Sequence, residues 1–189
     1  MAEDGSLFPY LNRGYWKTDK MTTDNKLRIP DGVKILKGKQ LIDGCKIIPL
    51  RRIPDERGTV YHMLRRTDPY FVQFGEIYFS TVYPGVIKGW HRHHEMTLNY
   101  ACIFGNAKVA LYDERDSSAT KGTLMEVFLG PDNYSLVVIP PEIWNGIKGM
   151  SKPYAIIANC CTHPHDPSRS IRLDPFKNHI PYSWDVRHE

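Results

Sequence analysis

The stretch 85-GVIKGWHRHHEMTLNYACIFG-105 decides how this chain is read. Two short runs, Val86–His91 and Leu98–Gly105, are rich in β-branched and aromatic residues and bounded by glycine, which is the composition of strands. Between them, His91, His93, His94 and Glu95 fall within five residues. On a strand, alternate side chains share a face, so His91 and His93 lie on one side and Trp90, Arg92 and His94 on the other. Such a cluster suits a metal site, a catalytic histidine among bystanders, or the polar mouth of a barrel.

Working outward, the same texture repeats in 45-CKIIPLRRI, 59-TVYHMLRR, 75-GEIYFSTVY, 107-AKVALYDER, 124-LMEVFLG, 134-YSLVVIPP and 154-YAIIANCCTH. Each run ends in Gly, Pro, Asp or Asn, and DERG and GPDN carry turn chemistry. Many short strands at close spacing predict an all-β sandwich or barrel. Helix signals are confined to short pieces near Asp166–Ser170 and the C-terminus. Residues 1–40 are polar with scattered aromatics and read as an extended arm, and 41–189 as one domain.

Composition narrows the partners. A net charge of +4 suits a small anionic ligand, and the basic residues form no run that would track nucleic acid. Cys45, Cys102, Cys160 and Cys161 show no CxxC spacing, which predicts reduced core thiols. The N-terminal residues lack the apolar core of a signal peptide, and no stretch approaches about 20 apolar residues. The expectation is a soluble, cytoplasmic protein with no membrane partner.

A cupin metal site would present His-x-His, a Glu several residues later, and another His after a downstream proline. Here Glu95 follows His93 by two residues, and Asn145 stands after 138-VIPPEIW. The ligand set is short by one member, so no metal and no cofactor are expected.

The motifs DERG (55–58), GVIKGWH (85–91), YDER (112–115), the following 117-SSATKGTLMEVFLGPDNYSLVVIPPEIWNG and IRLDP (171–175) resemble the dTDP-4-dehydrorhamnose 3,5-epimerases. The resemblance runs from about Leu41 to Trp184. It implies a cupin-type jelly-roll barrel (a double-stranded β-helix), a homodimer that exchanges edge strands, and a nucleotide-diphosphate sugar as partner. It further implies proton abstraction beside the ketone of a nucleotide-activated 4-keto-6-deoxy sugar, at carbon 3 and/or carbon 5, in deoxysugar or surface-polysaccharide biosynthesis.

Carried over residue by residue, the resemblance makes His91 the base and Asp174 the carboxylate that orients it. Arg57 becomes the diphosphate ligand, and Lys88 stands where the family has Arg. Glu76 and Tyr78 fall in a region that lines the pocket, and His93 and Asn145 are further substrate-binding candidates. The pattern also departs from the family. The enolate-stabilising Lys falls at Leu98, the acidic Tyr near Ile157, and a His at Asn145. If Leu98 faces inward, so does Tyr100, which is then the candidate replacement proton donor. These departures favour epimerisation of one carbon rather than two. They leave as alternatives a cupin sugar ketoisomerase and a non-catalytic nucleotide-sugar-binding homologue.

Overall fold

A computed structural model of the chain describes residues 29–186. The strands are β1 (Val33–Lys37), β2 (Lys46–Pro49), β3 (Arg52–Asp55), β4 (Gly58–Tyr61), β5 (Glu76–Val82), β6 (Ile87–His93), β7 (Leu98–Phe104), β8 (Ala107–Asp113), β9 (Leu124–Leu129), β10 (Ser135–Ile139), β11 (Ile143–Gly149), β12 (Ala155–Cys161) and β13 (Ser170–Arg172). A 3-10 turn at Pro167–Arg169 is capped by Asp166, whose carboxylate accepts from Ser168 N. None of the described helical segments is long and apolar enough to cross a membrane.

Two antiparallel sheets face each other. One runs β1-β9-β8-β11-β6-β13, the other β2-β10-β7-β12-β5, and β3 and β4 form a separate hairpin. The alternating inner faces bury Leu98, Tyr100 and Cys102 of β7 against Val109 and Leu111 of β8. Val137, Ile139, Ile143, Ile147 and Ile157 complete that core. Each fully buried aliphatic side chain contributes on the order of 1.5–3 kcal/mol by leaving water, which holds the two sheets face to face. This is the all-β, two-sheet architecture expected from the strand spacing, in the cupin-type jelly-roll form that the family resemblance implied.

A second apolar layer covers the outer face of the six-stranded sheet. Trp90, Trp144 and Ala110 lie there beneath Ile180 and Trp184 of the C-terminal segment. Trp90 and Trp144 are therefore packing residues on the side away from the barrel interior. Within this layer the Lys108 ammonium meets the Glu126 carboxylate at 2.8 Å, and both are buried.

Residues 1–28 lie outside the described residues, but Val33–Lys37 forms β1, paired with β9 at the sheet edge. Val33 and Ile35 pack against the core, so the VKILK alternation gives a real strand that the polar surroundings had masked. The run from 45 to 53 is two strands: Lys46–Pro49 pairs with β10, and Arg52 and Ile53 pair with β4 in the separate hairpin. The described C-terminal residues form no helix; they make an irregular strap held by its aromatic side chains.

Candidate active site

The inner face of the six-stranded sheet presents one row across four strands. Leu111, Asn145, His91 and Arg172 are successive cross-strand partners on β8, β11, β6 and β13. Facing it, the five-stranded sheet presents Tyr100, Asn159 and Tyr78 on β7, β12 and β5. One hydrogen bond ties the two rows at the closed side: Tyr100 OH donates to Asn145 Oδ1 at 3.2 Å. The rows therefore stand at the same height, with His91 and Tyr78 toward the open edge.

A register slip in β6 adds a cation to this wall. On a regular strand Lys88 and His91, three apart, would point to opposite faces. The pairing with β11 shifts between Asn145 and Gly146, so that Lys88 sits opposite the core residue Ile147. Its ammonium reaches across to donate to Ser80 Oγ of β5 at 2.8 Å. That contact is a second tie between the walls, one step along the strands from the His91 and Tyr78 level.

The imidazole ring of His91 makes no hydrogen bond to any described residue. Burial is the largest cause that holds its pKa down, from 6.5 to about 4, followed by the charges of Arg172, His93 and Lys88. The ring is thus a neutral imidazole at physiological pH, in a field made positive by Arg172 and Lys88. His93, on the same face opposite Ser170, is also held below its ordinary value, first by burial and then by His165 and Arg172.

The expected hydrogen bond between His91 and Asp174 is not formed. The Asp174 carboxylate instead accepts from the amides of Phe176 and Lys177, each at 2.8 Å, and those bonds lower its pKa. A turn-forming Asp before proline spends its oxygens on its own backbone. Tyr100 does face inward with Leu98, as alternation requires, but its phenol is enclosed in the core and committed to Asn145. Burial raises its pKa far above the ordinary phenol value. Asn145 is buried too, donating from Nδ2 to His91 O at 3.0 Å, so it fixes the strand that carries the histidine.

The other candidates divide by location. Glu76 opens β5 opposite Cys161, whose thiol points to the Glu76 carboxylate at 3.8 Å. Tyr78 is on the inner wall, and its phenol oxygen accepts from Asn159 Nδ2 at 2.8 Å. Arg57 sits at the tip of the β3–β4 hairpin, exposed, with its guanidinium on Asp55 at 2.6 Å. Leu98 and Ile157 are buried core residues and offer no polar group. Among the described residues no group of three or more His, Cys, Asp or Glu is arranged to hold a metal ion.

Two inner-wall groups had no signal in the sequence pattern. Asn159 lies inside the apolar run AIIANCC and looks like core; Arg172 precedes the more conspicuous Asp174. Both are recognisable only once strand pairing sets them beside Tyr78 and His91.

Comparison with known proteins gives consistent matches. The model of a family described as dTDP-4-dehydrorhamnose 3,5-epimerase matches residues 39–189. The spore coat polysaccharide biosynthesis protein SpsL of Bacillus subtilis is 32% identical over 145 residues, covering 77% of this chain and 91% of that protein. A Haloferax volcanii protein named "Probable low-salt glycan biosynthesis epimerase" is 32% identical over 130 residues, 68% of this chain and 80% of its own length. The crystal structure of a dTDP sugar isomerase from Desulfovibrio desulfuricans superposes with a TM-score of 0.72 at 46% identity, over 76% of this chain and 92% of that one.

Proposed function

We propose, from the premise that the chain belongs to the dTDP-4-dehydrorhamnose 3,5-epimerase family, that it epimerises a dTDP-linked 4-keto-6-deoxy sugar for glycan or polysaccharide assembly. Its named relatives in Bacillus and Haloferax belong to polysaccharide and glycan biosynthesis, which supports that setting. The observation that carries the chemistry is a neutral His91 imidazole on one inner wall, without a hydrogen-bond partner among the described residues, facing the polar row of Asn159 and Tyr78 on the other.

In this reading His91 removes the proton from the carbon next to the ketone, and the electron pair moves onto the carbonyl oxygen as an enolate. Abstraction of this kind needs a neutral base near the carbon and positive charge near the oxygen. Leu98 cannot supply that charge. Lys88 and Arg172, which flank His91 and depress its pKa, supply it instead. Arg57 binds the diphosphate from the hairpin tip, where its planar fork suits phosphate oxygens. Glu76, His93 and Asn145 border the sugar or fix the strand beneath it. Asp174 closes the turn after β13 and so keeps Arg172 on the edge of β6. The active unit is a homodimer.

The test is incubation with dTDP-4-keto-6-deoxyglucose in deuterated water, with NMR following each ring position. Deuterium should enter beside the ketone, at carbon 3, carbon 5 or both. His91→Asn should reduce exchange by about 10²–10⁴-fold while dTDP binding persists, the range expected for loss of an acid–base group. Full exchange in that variant would remove His91 from the role. No exchange with native protein would leave a nucleotide-sugar binder.

A further inference from the structure

Inversion at carbon needs two groups, one to take the proton and a second to return one from the opposite face. Removal and return by the same histidine gives back the starting configuration. Resting on the epimerase reading above, we propose that Tyr78 is the acid that protonates the enolate opposite His91, and that Asn159 is its positioning residue.

Three observations lead to this pair. Position comes first: Tyr78 lies on the row that Tyr100 locks to the His91 row, and one step further along the strands Lys88 of β6 touches Ser80 of β5. The phenol and the imidazole are therefore on opposite walls at one level. Availability comes next. Tyr78 is 41% exposed, whereas Tyr100 is 6% exposed and closed off from solvent and substrate. Polarity is the third. Asn159 Nδ2 donates to the Tyr78 oxygen, and the phenol hydrogen has no acceptor among the described residues. The amide thereby occupies a lone pair and leaves the O–H free to donate to a bound group. Asn159 is itself held, because its Oδ1 accepts from Asn99 N at 3.1 Å.

Burial raises the Tyr78 pKa above that of a free phenol, so the group is protonated and ready to donate at neutral pH. The step balances as follows. His91 gains the proton from carbon, and the C–H electron pair enters the enolate. The enolate carbon then takes the phenol proton on its other face as the ketone re-forms. Tyr78 is left as phenolate and His91 as imidazolium. Exchange with water restores both.

The distinguishing measurement is the ratio of inverted product to deuterium exchange, followed by NMR with dTDP-4-keto-6-deoxyglucose in deuterated water. Tyr78→Phe should lower inversion at least 100-fold while exchange with retained configuration, driven by His91, continues. Asn159→Leu should move the same ratio in the same direction, by less. Melting temperature and dTDP binding check that each variant is folded. Should Tyr78→Phe fold poorly, 3-fluorotyrosine at position 78 keeps the shape and acidifies the phenol, and should shift the basic limb of inversion to lower pH. A native ratio in Tyr78→Phe, an unmoved basic limb, or loss of inversion in Tyr100→Phe alone would overturn the assignment and leave the epimerase reading standing. Absence of any exchange with native protein would defeat both together.

Discussion

At the scale of single residues, the chemistry depends on how His91 is kept neutral. Its pKa of about 4 lies below the ordinary 6.5 because burial and the charges of Arg172, His93 and Lys88 all disfavour the imidazolium. The acid limb of kcat/KM for the free enzyme should therefore fall near pH 4, with no loss between pH 5 and 7. The sign for stability follows: the unfolded chain takes up the proton more readily. This contribution is intact above pH 6.5 and is lost as pH falls toward 4. Arg172→Met removes the largest charge acting on the ring and should raise the acid limb. An unchanged limb in that variant would show that burial alone sets it. His91 was legible in the sequence because GVIKGWH has a recognisable shape. Its surroundings were not, since Arg172, Asn159 and Ser80 come from distant strands and carry no motif of their own.

At the scale of elements, β6 is the strand on which the site depends, and glycine permits its irregular geometry. Gly89 and Gly146 lie opposite each other at the register slip, and a Cβ on Gly146 would come within 2.8 Å of the Trp184 ring and 3.3 Å of Gly89 Cα. Gly146→Ala should therefore force either the tryptophan or the backbone aside, at a cost of about 1–3 kcal/mol typical of overpacking. Urea unfolding would read that loss. Rerouting the slip would also turn Lys88 outward and break its bond to Ser80. The slip itself was invisible beforehand, because alternation predicts faces only for an unbroken ladder. Most strands were legible from β-branched runs ending in turn residues. Ile143–Gly149 was not, since two glycines and a tryptophan dilute the pattern and its preceding prolines look like a loop. Ser170–Arg172 was too short to stand out, and gains its strand character only from pairing with β6.

For the whole molecule, the barrel and its family were both within reach of the sequence. Strand spacing gives the class, and the ordered motifs from Leu41 to Trp184 give the resemblance that the family match over 39–189 bears out. What a single chain could not reveal is which surface is left open. The outer face of the five-stranded sheet is covered over β2, β10 and β7, where Tyr61, Met63, Leu64 and Tyr70 pack on Tyr134, Leu136 and Val138. Over β12 and β5 no described residue covers it: Ile77 is 49% and Phe79 61% exposed. Tyr83, Tyr154 and Phe104 extend that apolar patch as an aromatic cluster. β5 is also the last strand of its sheet, so among the described residues one row of its backbone groups has no neighbouring strand in that sheet. An exposed edge beside large apolar side chains is a site for pairing or aggregation unless something covers it. A second copy of the same surface would bury both the edge and the aromatics, which is the closed, isologous way to satisfy them. The homodimer proposed above should therefore form through β5 and the outer face beside it. Phe79→Asp, which points away from the barrel interior, places a charge in that contact and should give a monomer by analytical ultracentrifugation at micromolar concentration. Because β5 also carries Tyr78, loss of the dimer should lower inversion as well. A native protein that sediments as a monomer would defeat the dimer, and a Phe79→Asp protein that stays dimeric would place its interface on another surface.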